Sequence, residues 1–474
     1  TGFDDRCGNG AVSGRTGRPG RQKIGQFPKL NHRKGTSSGM TEEEKRILEW
    51  IDSNREDAIG LLQDLVRIPS LTGEEGPAQE YMAKYLREMG LEVEMCIADM
   101  KALEGHPEFI PVDPEVNVGN YEERPNVIGR YRGAGGGRSL LFFAHMDTVP
   151  PGDGWTHDPY GAEIADGRMY GIGTADMKAG IAACCYAVKA CMGAGVRLKG
   201  DVLCMSNIEE EIGGSGGILA CIARGYRADA GVHPHPSEGK PEMVWIASSG
   251  VLAFRVKVPG RTTHGFQAHL GVNAIEKAWR IAEALRELDR HLGVTRREAL
   301  TERTFYLSGR PARAANLYLS AMRGGGWLYQ VPPSCEMDWV YTFPNNESLE
   351  ENVSLIEETV RASAASDPWL KENPPEVQWL PVKFSPSRSD PDDPFVRVAQ
   401  ESIESVIGRK TTLGATPVGS DMRVPVLYAG MPTVNIGPLG GGGHSPDEWV
   451  DVESYVTAVK MFAVLLTRWC SVAS

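Results

Sequence analysis

Residues 140–151 read LLFFAHMDTVPP. Apolar residues run straight into His145, Asp147 follows two positions later, and prolines close the stretch. An uninterrupted apolar run of this length predicts a strand covered on both faces, as in the middle of a helix-flanked sheet. Open α/β sheets bind ligands beyond the carboxyl ends of their strands. His145 and Asp147 therefore stand where chemistry is expected. A histidine there can hold a metal ion, and an aspartate two residues on can engage its other ring nitrogen and fix the tautomer. A surface His-x-Asp with no role is the plainer alternative.

Four more segments repeat this logic. Residues 170–180, YGIGTADMKAG, set Asp176 on a glycine-flanked turn before a helix. It can cap that helix, or its two carboxylate oxygens can bridge two metal ions. Residues 206–217, SNIEEEIGGSGG, place three consecutive glutamates between a strand and a glycine turn. Like charges this close repel unless a cation sits among them. One glutamate can then ligate while its neighbour takes a proton from an activated water. A solvated acidic turn is the alternative. Residues 228–239, ADAGVHPHPSEG, end a short strand on His233 and His235, in a loop stiffened by prolines. Residues 437–449, GPLGGGGHSPDEW, deliver His444 on a glycine run. Together His145, Asp176, Glu211, His235 and His444 suit a metal centre with nitrogen and oxygen ligands.

Around these segments strands and helices alternate. A capping box, Thr41 to Glu44, opens a helix reaching about residue 68, and another helix covers about 76–89. Strands are expected at 91–96, 126–131, 139–144, 201–206 and 228–232, and helices at about 178–193 and 215–224. The class is α/β, a helix-covered and mainly parallel sheet. Near residue 248 the texture changes to strands of period two with long helices at about 273–293 and 348–364. This predicts an α+β unit inserted into the catalytic domain. The expected division is 1–39, an extension that is disordered or vector-derived, then 40–247 and 366–474 as the catalytic domain, with 248–365 as the insertion. The proline-rich stretch after residue 374 reads as a link.

At 474 residues the chain is too long for one core. Its hydrophobic content of 41% and charged content of 24% are ordinary for a globular protein. A net charge of −12 argues against nucleic-acid binding, and no apolar run is long enough to cross a membrane. Residues 1–39 hold eight basic and two acidic side chains and nine glycines, without apolar periodicity. The reading places the native start at Met40; a transit peptide would also be rich in arginine but should be amphipathic. Nine cysteines without framework spacing suggest free thiols, a reducing compartment and a cytoplasmic address.

In order and wording these segments resemble the M20 family of metallo-aminoacylases and peptidases, over about residues 41–474. HMDTVP, GIGTADMKAG, EEEIGGSGG and the closing HSPDE carry the resemblance. It implies that His145 binds one metal with Asp147 orienting it, and that Asp176 bridges two metals with a cis peptide to Met177. It further implies that Glu210 is the general base and acid, and that Glu211 and His444 bind the second metal. The insertion resembles the family's lid and dimerisation domain. Within PGRTTHGFQAHLGVNAI, residues 259–275, His264 would stabilise an oxyanion, in relatives often across a dimer.

Departures from the family bear on substrate. His235 stands where relatives usually carry glutamate or aspartate, which lowers the ligand charge and suggests one weak site or a single metal. In GGGWLYQVPP, residues 324–333, Tyr329 replaces an asparagine, and in DWVYTFP, residues 338–344, Tyr341 replaces an arginine. Trp339, Tyr341 and Phe343 share a strand face. That face is either lid core or interface, or an aromatic wall for a flat substrate. Arg423, in GSDMR, is a candidate anchor for a substrate carboxylate or else a structural ion pair. The resulting expectation is a homodimeric hydrolase using one or two divalent ions, Zn, Mn or Co. It would cleave the C–N bond of a small N-acyl amino acid. Alternatives are deamination, decarbamoylation or deformylation of an aromatic carboxylate, and a non-catalytic binding protein on the same fold.

Overall fold

The computed structural model describes residues 39–112, 118–237, 242–304 and 310–473. The predicted extension lies almost wholly outside them. The large sheet runs in the order Glu92–Cys96, Asn126–Tyr131, Val202–Asn207, Leu140–His145, Ala230–His233, Thr433–Asn435, Met243–Ser248. Thr412–Thr416 and Ser387–Arg388 both pair with the last of these. The centre is parallel: Leu140–His145 pairs in parallel with Val202–Asn207 and Ala230–His233, and Thr433–Asn435 with Ala230–His233. The Glu92–Cys96 flank is antiparallel, whereas Met243–Ser248 pairs antiparallel with Thr433–Asn435 and Ser387–Arg388 and in parallel with Thr412–Thr416. Leu140–His145 is buried at every position. Phe142 meets Phe462 of the helix Val452–Cys470 edge to face at 5.5 Å. Leu141 and Phe143 join a cluster on the opposite face with Ile218 and Met422. Cover on both faces is why this strand reads as a continuous apolar run.

The carboxyl ends of these parallel strands point the same way, so the loops after His145, Asn207, His233 and Asn435 emerge side by side. The predicted helix 41–68 is two helices, Glu42–Ser53 and Arg55–Arg67. The Asn54 side-chain amide donates to the Trp50 carbonyl (2.8 Å), the local competition that breaks helices at asparagine. A small sheet formed by Glu163–Ala165, Arg168–Tyr170, Gly440–Gly441 and Trp449–Asp451 ties the Asp176 loop to the His444 loop.

The inserted unit is an antiparallel sheet ordered Asn316–Gly324, Ser334–Phe343, Gly250–Pro259, Glu376–Phe384, with the helices Ala274–Thr295 and Leu349–Ala365 packed on one face. It extends beyond the expected boundary at residue 365, because 376–384 is an edge strand and not a link. Pro381 sits where its register with Gly250–Pro259 slips, between Trp379 and Lys383, and proline is tolerated at an edge or a bulge. Cys335, Met337, Trp339, Tyr341 and Phe343 alternate into the core beneath the helices. No helix among the described residues is long and apolar enough to cross a membrane.

Candidate metal centre and adjoining pocket

His145 ends its strand, buried. Asp176 comes from the loop after Arg168–Tyr170, with a cis peptide to Met177. Glu211 follows Val202–Asn207, His235 follows Ala230–His233, and His444 lies on the glycine loop with φ +58°. Nε2 of His145 and Nε2 of His235 each lie 3.0 Å from Asp176 Oδ1. Nε2 of His444 lies 3.3 Å from Asp176 Oδ2 and 3.0 Å from Glu211 Oε2. Two groups of candidate ligands result, His145–Asp176–His235 and Asp176–Glu211–His444, each with its ligand atoms within 4.8 Å of one another. Asp176 belongs to both, one oxygen to each. Between His233 and His235, the geometry brings His235 to Asp176.

The donor set fits divalent cations. Nδ1 of His145 faces the Asp147 carbonyl oxygen (3.0 Å), and Nδ1 of His235 faces the Pro236 carbonyl oxygen (2.9 Å). A carbonyl only accepts, so Nδ1 carries the hydrogen in both neutral rings and Nε2 presents a lone pair. Those lone pairs point at a carboxylate oxygen, an arrangement that repels until a cation or a proton lies between. Oε1 of Glu211 is buried without a partner. In the cation's absence the cluster favours protons. Burial opposes a charged His145, yet the carboxylates of Asp147 and Asp176 hold it well above its ordinary value. His444 is pushed up to about 11 by Asp176 and Glu211. Metal and protons therefore compete for the same atoms.

The glutamate loop is aimed by buried polar contacts. The Asp147 carboxylate accepts from the backbone N–H of Glu210 and of Glu211 (3.1 Å each) and from the Thr72 hydroxyl (2.8 Å). Its closest approach to the His145 ring is 3.4 Å. Asp147 thus anchors the acidic loop as much as it orients His145. Glu209 adopts φ +67°, a left-handed backbone disfavoured for residues with a Cβ. Arg124, Tyr121 and the Gly216 amide bond its carboxylate, and its own N–H donates to Glu75. Burial pushes Glu210 up to about 7; His145 pulls against this, and Asp421, Asp176 and Asp147 reinforce it. Glu448 accepts from the amides of Gly173, Ala175 and Asp176 and so shapes the bridging loop. Sequence reasoning missed Glu75, Arg124, Glu209 and Glu448 as supports. The one signal was that Glu209 and Glu448 fall inside the quoted motifs.

A cavity of about 500 Å³ adjoins the ligands, and its lining includes Glu210, His233, Trp245, Phe384, Val418 and Asn435. Three expected substrate contacts lie elsewhere. Tyr341 is buried under the insertion's helices, its hydroxyl donating to Asn352 Oδ1 (2.8 Å). The aromatic face is core because those helices cover it. Arg423 is buried and engaged by Glu108 (2.9 Å), by Asp421 (3.3 Å) and by the Gly213 carbonyl, so it is not a free carboxylate anchor. Tyr329 lies on an exposed turn beside His264, whose Nδ1 accepts from the Phe266 amide (3.2 Å). Within one chain neither of these two lines the pocket.

The family model for Peptidase family M20/M25/M40 matches residues 141–468. The chain is 26% identical over 451 residues to an N-formyl-4-amino-5-aminomethyl-2-methylpyrimidine deformylase of Halalkalibacterium halodurans, covering 90% of this chain and 97% of that one. It is 28% identical over 423 residues to a succinyl-diaminopimelate desuccinylase of Methylorubrum populi, covering 87% and 98%. Its fold matches the di-peptidase Dug1p of Saccharomyces cerevisiae with a TM-score of 0.73 at 17% identity, over 91% and 99% of the two chains. The relatives are hydrolases of amide-type bonds, and the candidate ligands fit divalent metal. The paired ligand groups, the parallel strand ends that carry them and the family match all agree: this chain is a metal-dependent amide hydrolase belonging to peptidase family M20/M25/M40.

Proposed function

We propose that the chain removes a small acyl group, formyl foremost, from an amine carried by a flat aromatic compound, with Glu210 as general base and acid. The observation that carries this is the pocket beside the ligands. Trp245, Phe384, Val382 and Val418 give it apolar walls, and among the described residues its lining holds no arginine or lysine. A substrate carboxylate would find no arginine or lysine among these described lining residues, since Arg423 is engaged behind the wall. The similarity to the pyrimidine deformylase along nearly the whole chain supports the same reading.

Divalent ions, Zn, Mn or Co, would polarise the acyl carbonyl and acidify a water beside it. Glu210 is half-buried and lines the cavity beside both ligand groups, and its carboxylate accepts the proton from the attacking water. It then gives that proton to the leaving nitrogen, so formamide and water become formate and amine. His264 stabilises the developing oxyanion from a second copy. A homodimer built through the insertion is supported by the apolar tip around His264, where Phe266 is 84%, Trp327 70% and Leu328 86% exposed. The free, buried state of all eight described cysteines agrees with a cytoplasmic address.

The second reading, an N-acyl amino acid substrate, is supported by the desuccinylase relative. It requires a carboxylate-binding cation contributed by another copy. Product analysis on the metal-loaded chain separates the readings. Formate with an aromatic amine supports the first, a free amino acid with a carboxylic acid supports the second, and ammonia from the aromatic ring overturns both in favour of deamination.

A further inference from the structure

We propose that His233 and Asn435 read the polar edge of a flat nitrogen heterocycle that bears an exocyclic amino group. The inference rests on the amide-hydrolase reading above and specifies the amine that leaves. Ala230–His233 and Thr433–Asn435 are parallel neighbours in which His233 and Asn435 are direct register partners; on its other side Asn435 is opposite Trp245. Residues in register share a face, and all three line the same cavity. His233 is 2% exposed and Asn435 3%. Even so, both ring nitrogens of His233 and Oδ1 of Asn435 lack a hydrogen-bond partner. Buried polar atoms are almost always paired, so unpaired atoms on residues that line a cavity point to a ligand bound there. The His233 ring makes no hydrogen bond to the candidate ligands; its centroid lies 5.1 Å from that of Phe143 and 5.7 Å from that of His235.

The chemistry of these atoms selects the partner. Asn435 Oδ1 needs a donor, and a neutral imidazole offers one donor and one acceptor. A ring nitrogen beside an exocyclic NH2 supplies an acceptor and donors along one edge. A benzene edge leaves the protein atoms unpaired. Trp245, whose ring N–H donates to Thr304 (3.2 Å), lines the same cavity, and an aromatic lining suits an aromatic ring.

The test uses the metal-loaded full chain and two formamides, N-formyl-4-amino-5-aminomethyl-2-methylpyrimidine and a counterpart with carbon in place of the ring nitrogens and the amino group. The readout is the ratio of kcat/KM for the pair, which the folded fraction of a variant does not alter. The wild type should favour the pyrimidine at least ~30-fold, and His233→Phe and Asn435→Leu should each lower that ratio about tenfold, the scale of losing one buried hydrogen bond. A wild-type ratio near one, or a ratio unmoved in both variants, overturns the assignment. Calorimetric titration of the free aminopyrimidine separates the two levels. A chain that binds it, more weakly in the variants, yet cleaves neither formamide breaks the deformylase reading and leaves the pocket assignment standing. A chain that cleaves both formamides equally does the reverse.

Discussion

The two large sheets place their distinctive side chains in opposite ways. Leu140–His145, Val202–Asn207 and Ala230–His233 are buried along their length, and candidate ligands and acids appear only where these strands stop. In the insertion, Ser334–Phe343 carries Trp339, Tyr341 and Phe343 along its face, under helices. Both patterns stand out in the sequence, yet one makes a site and the other a core. Position along the strand decides: a strand's face is covered by the next layer, whereas its carboxyl end opens into loops that can converge. Substitutions at strand ends should therefore change chemistry at constant fold, and substitutions on the insertion's face should do the opposite.

The largest effect is expected at Asp176, the one residue in both ligand groups. Asp176→Ala should lose both ions and all turnover, whereas His444→Ala should lose only the ion of its own group. Elemental analysis after dialysis checks this, and an Asp176→Ala protein that keeps a full ion would break the two-group description. Next comes Glu210→Gln, which should keep its metal and lose about 10²- to 10⁴-fold in kcat. A general base works deprotonated, so kcat/KM should fall as pH drops through the Glu210 pKa. The protein alone sets that pKa at about 7, and neighbouring cations lower it. The acid limb should lie below 7 in the loaded enzyme and be absent in Glu210→Gln.

The same comparison explains what could be read from the chain. His145, Glu211 and His235 were legible because each follows a short apolar run that reads as a strand, and Asp176 and His444 because each sits in a glycine-rich turn between predicted elements. Glu75 and Arg124 were not, because their value lies in meeting Glu209 in space, and neither stands in a motif. Arg423 stayed open between an anchor and an ion pair because its partner Glu108 lies 315 positions away in the chain. The pocket was invisible for a similar reason: His233, Trp245, Phe384 and Asn435 come from four separate segments. Glu376–Phe384 read as a link because Pro381 and the flanking Pro374, Pro375 and Pro386 deny a central strand and are silent about an edge.

A smaller effect is expected from His235. The group formed by His145, Asp176 and His235 has one carboxylate, shared, while the other adds Glu211. The first should lose its ion sooner to a chelator. His235→Glu should slow that loss by about tenfold, a small part of the ~4 kcal/mol that a unit charge pair at about 4 Å carries at an effective dielectric near 20, since desolvating the new carboxylate offsets the remainder. Two ions leaving the wild type at one slow rate would show that the missing charge does not matter.

The smallest effect tests the other half of the comparison. Tyr341→Phe keeps the ring in the insertion's core and removes one hydroxyl, the donor to Asn352 Oδ1. Asn352 keeps its own donations to Glu347 and to the Ser348 carbonyl at the start of the helix Leu349–Ala365, so the change is confined to one buried bond. The expected cost is about 1 kcal/mol of stability, a fall of a few degrees in the melting temperature, with kcat/KM unchanged. Because the hydroxyl faces a helix and not the cavity, kinetics should be blind to it. A fall in kcat/KM at unchanged melting temperature would return Tyr341 to the substrate and undo the rule that a covered strand face is core.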